Sequence, residues 1–296
     1  MKLKLITLVA LLSVVVSCSV KRSDSAASKT LSPDKKFYIF LAFGQSNMEG
    51  NARVEAQDTT NVDPRFQVLQ AVDCPKIGRV KGQWYPAKAP LCRCSTGLNP
   101  ADYFGRELLE NLPKDVRIGI INVSVAGAKI EVFDKDNDKV QAYVGAQADW
   151  MKNTVKEYNG NPYAYLVDLA KQAQKVGVIK GYLLHQGESN PNDSLWTTKV
   201  KALYDNLNAD LKLDAKKTPL LAGETVNADQ NGSCAGFNKI MATLPQKIAN
   251  SYVISSAGLP HRGDRLHFNA EGYRKFGKRY GHKMLALLGV KAPAVE

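Results

Sequence analysis

An α/β domain built on a parallel sheet is the fold class this sequence predicts, and three observations predict it. Five apolar runs rich in β-branched and aromatic residues recur along the chain, at Phe37 to Phe43, Val116 to Val125, Val178 to Leu184, Pro219 to Ala222 and Tyr252 to Ser255, and read as strands. Amphipathic patterns with a 3.6-residue period lie between or after them: Ala101, Phe104, Leu108, Leu112; Leu166, Leu169, Ala170, Ala173, Val176; Val200, Leu203, Leu207, Leu211. Two of these patterns open on Asn99-Pro100 and Asn161-Pro162, where the Asn side chain can cap and the Pro sits at the first helical position without losing a hydrogen bond. Strands alternating with helices imply parallel neighbours joined by crossovers.

The 296 residues are 44% hydrophobic and 23% charged, enough for one sizeable core, and this excludes disordered, collagen-like and disulfide-miniprotein classes. Residues 1–17 read as a secretory signal: two lysines within Met1 to Lys4, a charge-free stretch from Leu5 to Val16, then Ser17. That stretch is shorter than the roughly 20 residues a membrane helix needs. Val15-Val16-Ser17-Cys18 also resembles a bacterial lipobox, which would lipidate Cys18 and tether the chain to a membrane. Residues 18–35, rich in Ser, Ala and Lys, then serve as a flexible tether, and residues 36–296 form a single domain with no internal linker or repeat. The expected location is exported, periplasmic or on the cell surface, with membrane contact only through the anchor.

Net charge is +12, but the basic residues are scattered, so no nucleic-acid partner is expected. The densest run, Arg274 to Lys283, lies on a C-terminal helical pattern whose other face carries Tyr273, Phe276, Tyr280, Met284 and Leu287, and reads as a solvated face. Beyond Cys18, the cysteines 74, 92, 94 and 234 permit disulfides without fixing a pairing, and Cys92-x-Cys94 is too tight for a zinc knuckle. Two segments break the α/β rhythm: 45–97, turn-rich with three cysteines, and 131–160, polar with several aromatics. Excursions of this kind commonly build the rim of a ligand site. Asp134-x-Asp136-x-Asp138 opens like a calcium loop, but Lys139 and Gly145 occupy the positions that need a glycine and a bidentate acid.

Four patches carry chemistry. The first strand runs into Gly44-Gln45-Ser46-Asn47-Met48, placing a serine at the carboxyl end of a strand, the edge where open α/β sheets bind ligands. Ser46 there is either a nucleophile or a plain helix cap. Met48 excludes the Gly-x-Ser-x-Gly elbow. A serine nucleophile needs a base, and of His185, His261, His267 and His282 the third has a carboxylate three residues ahead of it, in Asp264-Arg265-Leu266-His267, where it can orient the ring and stabilise its cation. His185-Gln186-Gly187-Glu188-Ser189-Asn190 follows the third strand run. Gln186 could donate to a developing oxyanion there, and Glu188 is a second carboxylate able to orient a base. In Val125-Ala126-Gly127-Ala128, a glycine at a strand end lets a backbone N–H approach a substrate.

Gly44-Gln45-Ser46-Asn47, Gly127, His185-Gln186-Gly187-Glu188-Ser189 and Asp264-x-x-His267 occur in that order, and together they resemble the SGNH/GDSL hydrolase superfamily. Within it the chain is most similar to carbohydrate esterase family six, which includes acetylxylan esterases and is similar to sialate O-acetylesterases. The resemblance covers roughly residues 36 to 289 and extends through 177–189 and 250–259. It implies a flavodoxin-like, doubly wound, three-layer α/β/α fold. It also implies Ser46 as nucleophile, His267 as general base and then acid, Asp264 ahead of Glu188 as the orienting acid, and an oxyanion hole made by the amides of Ser46 and Gly127 and the side chain of Gln186. No metal or organic cofactor is implied. The implied activity is removal of O-acetyl groups from an acetylated oligo- or polysaccharide, acetylxylan or a related hemicellulose first and O-acetylated sialic acid second. A silent glycan-binding lipoprotein and an acetyl transferase between sugars are the other readings. Ala126 departs from a usual second glycine, and Ala128-Lys129 from small hydroxylated residues, which bears on the acyl pocket.

Overall fold

Phe37–Gly44 forms β1, the central strand of the computed structural model, which describes residues 32–291. The side chains of Phe37, Ile39, Leu41 and Phe43 enter one core and those of Phe40 and Ala42 the other. A strand covered on both faces has no polar side, which is why this run reads as unbroken apolar sequence. The other strands are β2 (Phe66–Leu69), β3 (Trp84–Pro86), β4 (Arg117–Ser124), β5 (Val178–His185), β6 (Leu220–Gly223) and β7 (Ser251–Ile254). They form one seven-stranded sheet in the order β3-β2-β4-β1-β5-β6-β7, parallel except for β3 against β2.

The five runs expected from sequence are β1, β4, β5, β6 and β7. Their spatial order, second-first-third-fourth-fifth, is that of a flavodoxin-like doubly wound sheet. The connections reverse direction at β1 and β5, whose carboxyl ends lie level, with Gly44 opposite His185. Helices cover both faces, making three layers. Pro100–Asn111 and Ala270–Leu287 send Phe104, Leu108, Phe276 and Tyr280 into the core of Phe40. Pro162–Ala173 and Trp196–Leu211 send Leu166, Ala170, Val200 and Leu207 into the other. Both expected caps are present: Asn99 accepts from the Ala101 amide and Asn161 from the Ala164 amide.

β2 and β3 come from the segment that broke the rhythm and extend the sheet beyond β4. Their three- and four-residue runs are too short to stand out in sequence. A Cys74–Cys94 disulfide crosses the same segment, leaving Cys92 buried and Cys234 half-buried as free thiols. Burial pushes the Cys92 thiol up to about 12, so it is an inert packing residue. Asp136 caps the helix Asn137–Gly145 at the Asp138 amide, which accounts for the acidic triplet without calcium. No helix among the described residues is long and apolar enough to cross a membrane. The expected signal 1–17, the lipid site Cys18 and the tether up to Leu31 lie outside the described residues.

Candidate active site

The chain leaves β1 at Gly44, where φ is +149° and a Cβ would lie 2.0 Å from the His185 carbonyl oxygen, so the ends of β1 and β5 can approach this closely only with glycine. Ser46 opens the single helical turn Ser46–Glu49 and is buried except for its approach from the carboxyl edge. Its Oγ lies 2.9 Å from His267 Nε2, and His267 Nδ1 lies 2.7 Å from Asp264 Oδ2. A carboxylate can only accept, so Nδ1 carries the proton and the Nε2 lone pair faces the serine hydroxyl. The structure thus brings Ser46, His267 and Asp264, 221 residues apart at the extremes, into one hydrogen-bonded line.

Local contacts fix Asp264 as an anion. Partial burial pushes its carboxyl up, but the amides of His267 (2.8 Å) and Leu266 (3.0 Å) donate to Oδ1, and His267 Nδ1 and Arg262 Nε (2.7 Å) donate to Oδ2. The donors prevail and hold the carboxyl well below the usual range. The loop carrying it is tight, with Gly263 and Arg265 both at positive φ. His261 Nδ1 closes it by accepting from the Gly263 and Arg265 amides. His282, by contrast, pairs with Glu107 between two helices, at 2.8 Å.

Glu188 does not serve the imidazole. Its Oε1 accepts from Asn47 Nδ2 at 2.5 Å and lies 3.6 Å from His185 Nδ1, so this carboxylate faces Asn47 and His185 while Asp264 holds the His267 ring. Asn47 is the residue that sequence reasoning left without a role. Its Nδ2 also donates to the Leu266 carbonyl (3.1 Å), and its Oδ1 accepts from the Phe268 amide (3.3 Å) and the Tyr273 hydroxyl (2.6 Å). One carboxamide, next in sequence to Ser46, therefore grips the backbone on both sides of His267, with Glu188 behind it.

Gln186 faces protein partners rather than the serine. Its Oε1 accepts from the Trp196 indole, and its Nε2 donates to Asn190 Oδ1 (2.6 Å), with Gln45 Oε1 (3.2 Å) and Ala128 O (3.3 Å) sharing the second proton. The side chain is fully enclosed, and both N–H groups are spent on protein acceptors. Gln45 Oε1 in turn accepts from the Gly187 and Ser189 amides. Gln186 and Gln45 thus lace the end of β1 to the loop after β5, and Gln186 offers no donor to a substrate.

The turn after β4 keeps one amide free. The Val125 amide bonds to Gly44 O and the Ala128 amide to Val125 O, while the Ala126 amide donates to Glu49 Oε1. Gly127, at φ +65°, presents its N–H without an acceptor among the described residues, as Ser46 does. Ser189 Oγ, donating to Gly127 O at 2.8 Å, and Glu49, paired with Arg93 at 2.9 Å, hold the turn from both sides. Burial of Glu49 raises its carboxyl against the opposing pull of Arg93. No group of three or more His, Cys, Asp or Glu side chains among the described residues could hold a metal ion.

A serine, an imidazole and a carboxylate lie in line at the carboxyl edge of a doubly wound α/β/α sheet, an arrangement that suits a carboxylic ester hydrolase. The chain belongs to the carbohydrate esterase, sialic acid-specific acetylesterase family, whose model matches residues 36–286. Solved structures agree in fold. A protein from Arabidopsis thaliana has 20% identity and a TM-score of 0.63, covering 84% of this chain and 98% of its own. NanS has 16% identity and a TM-score of 0.63, with 88% and 99% covered. A carbohydrate acetylesterase from Xanthomonas citri has 18% identity and a TM-score of 0.57, with 84% and 56% covered.

Proposed function

We propose that this chain is an exported serine esterase that removes O-acetyl groups from sugars through an acetyl-enzyme on Ser46. The observation that carries the reading is the 2.9 Å contact between Ser46 Oγ and His267 Nε2, with Asp264 holding the opposite ring nitrogen. Ser46 Oγ attacks the acetyl carbonyl carbon while its proton passes to His267 Nε2. The carbonyl oxygen becomes an oxyanion facing the N–H groups of Ser46 and Gly127. The C–O bond to the sugar then breaks, and the sugar oxygen takes the proton from His267. Water attacks the acetyl-serine, gives its proton to the same nitrogen, and acetate leaves as Ser46 regains its hydrogen.

The family description favours O-acetylated sialic acid as the acyl carrier, ahead of the acetylxylan that the sequence resemblance put first. Initial rates on O-acetylated N-acetylneuraminic acid, acetylated xylan and p-nitrophenyl acetate separate the two. Acetate release from a sugar ester, abolished in Ser46→Ala, supports the reading. A Ser46→Ala protein that retains turnover sinks it. Acetylated product in place of free acetate would mark a transferase, and binding without turnover a silent lectin-like protein.

Export rests on the N-terminal signal pattern and is supported by the Cys74–Cys94 disulfide, a bond that persists in oxidising compartments. Anchoring is expected through lipidated Cys18. A Cys18→Ser chain that still fractionates with membranes would remove the anchor from this account.

A further inference from the structure

We infer that Trp150 is a stacking platform for the pyranose ring that carries the acetyl group, a binding role that rests on the carbohydrate reading above. All nine Phe, three Trp and twelve Tyr of the chain fall within the described residues, and Trp150, 54% exposed, is the one exposed aromatic among them. The others are buried or half-buried. A lone exposed apolar side chain is ordinary in itself, and it is the position of this one that gives it a role.

Trp150 lies at the candidate site. A Cβ on Gly127 would lie 3.0 Å from Trp150 Cη2 and 3.6 Å from Cζ2, so the six-membered edge of the indole rests on the glycine whose amide faces the oxyanion, while the residue as a whole stays exposed. The Gly127 turn is itself anchored through the Val125 amide to Gly44, two residues before Ser46.

The platform is rigid as well as exposed. Trp150 belongs to the helix Asp149–Glu157, whose Met151 and Val155 are buried. Just beyond the helix, the Tyr158 hydroxyl donates to the carbonyl of Ser124, the last residue of β4. The neighbouring Tyr143 hydroxyl accepts from the Lys129 amide, just past the turn. A flat ring held at the rim suits a ligand with a flat apolar face and polar edges, and a pyranose offers its axial C–H groups in that way. An acetyl group has only a single methyl to offer such a face, whereas the pyranose ring offers a whole one, so the ring is assigned to the sugar.

The test compares wild type, Trp150→Ala and Trp150→Phe on the O-acetylated sugar, on ethyl acetate, whose leaving group has no ring to stack, and on ethyl butyrate. Expected for Trp150→Ala is a fall of about tenfold in kcat/KM on the sugar ester, mainly in KM, with ethyl acetate within about twofold and substantial recovery in Trp150→Phe. Equal losses on sugar and ethyl acetates would make Trp150 a support of the turn and overturn the inference, as would no loss on either. A selective gain on butyrate would assign it to the acyl pocket instead, with the same consequence. Wild type active on ethyl acetate but on no sugar ester would refute the carbohydrate reading itself, and the platform with it.

Discussion

Ser46, His267 and Asp264 form one chain of proton donors and acceptors, and the contacts around them rank the two carboxylates. In Asp264→Asn the amide can donate to Nδ1, which turns the imidazole to the wrong tautomer. A fall of about 10³- to 10⁴-fold in kcat is expected, with the fold intact by circular dichroism. Glu188→Gln keeps an oxygen able to accept from Asn47, so its loss should stay within about tenfold. A larger loss in Glu188→Gln than in Asp264→Asn would reverse the assignment. Gln186 should behave as a scaffold residue. Gln186→Ala strands the buried Trp196 indole N–H, at about 1–3 kcal/mol for the unsatisfied group, while Asn190 Oδ1 keeps the Ile130 amide as donor. Its melting temperature should drop markedly, while the kcat of the folded fraction changes by less than about tenfold. The inverse pattern, full stability with activity down by 100-fold or more, would restore Gln186 to the oxyanion hole.

At the scale of elements, the meeting of β1 with β5 is the tightest constraint near the site. Gly44→Ala places a methyl group against the His185 carbonyl and forces an L-residue to φ +149°. Poor soluble yield or a strongly lowered melting temperature is expected, and a variant of wild-type stability would show that the strand ends can spread. The five parallel strands and the main covering helices were legible in the sequence because each is a long apolar run or a capped 3.6-residue pattern. β2 and β3 were not, since Phe66–Leu69 and Trp84–Pro86 draw their stability from the sheet edge they join. At the candidate site, Ser46, Gly127, Asp264 and His267 stood out because each lies in a short local motif, and the structure brings the serine, histidine and aspartate together. Asn47, Gln45 and the true place of Gln186 were hidden, because their partners lie up to 226 residues away and only the folded sheet brings them together.

Across the whole molecule, one buried acid of the helix Pro100–Asn111 contributes a pH dependence of stability. Asp102 is 1% exposed, and its Oδ2 has no partner among the described residues. Burial raises its carboxyl from 3.8 to about 6 despite Arg106 at 2.5 Å. The folded state therefore disfavours the ionised form. The penalty is absent below the unfolded value, grows as pH rises from about 4 to about 6, and is complete above that. Asp102→Asn is neutral throughout, so its melting temperature relative to wild type should be more favourable at pH 7.5 than at pH 3.5. Parallel stability curves would remove Asp102 as the cause.

The grip of Asn47 on both flanks of His267 has a thermal consequence. Ser46 and His267, supplied from opposite ends of the domain, are clamped to each other rather than merely adjacent, so neither can drift while the other stays in register. Heating should extinguish turnover and melt the sheet along the same curve in the native enzyme. In Asn47→Ala the loss of activity should come several degrees before the loss of ellipticity.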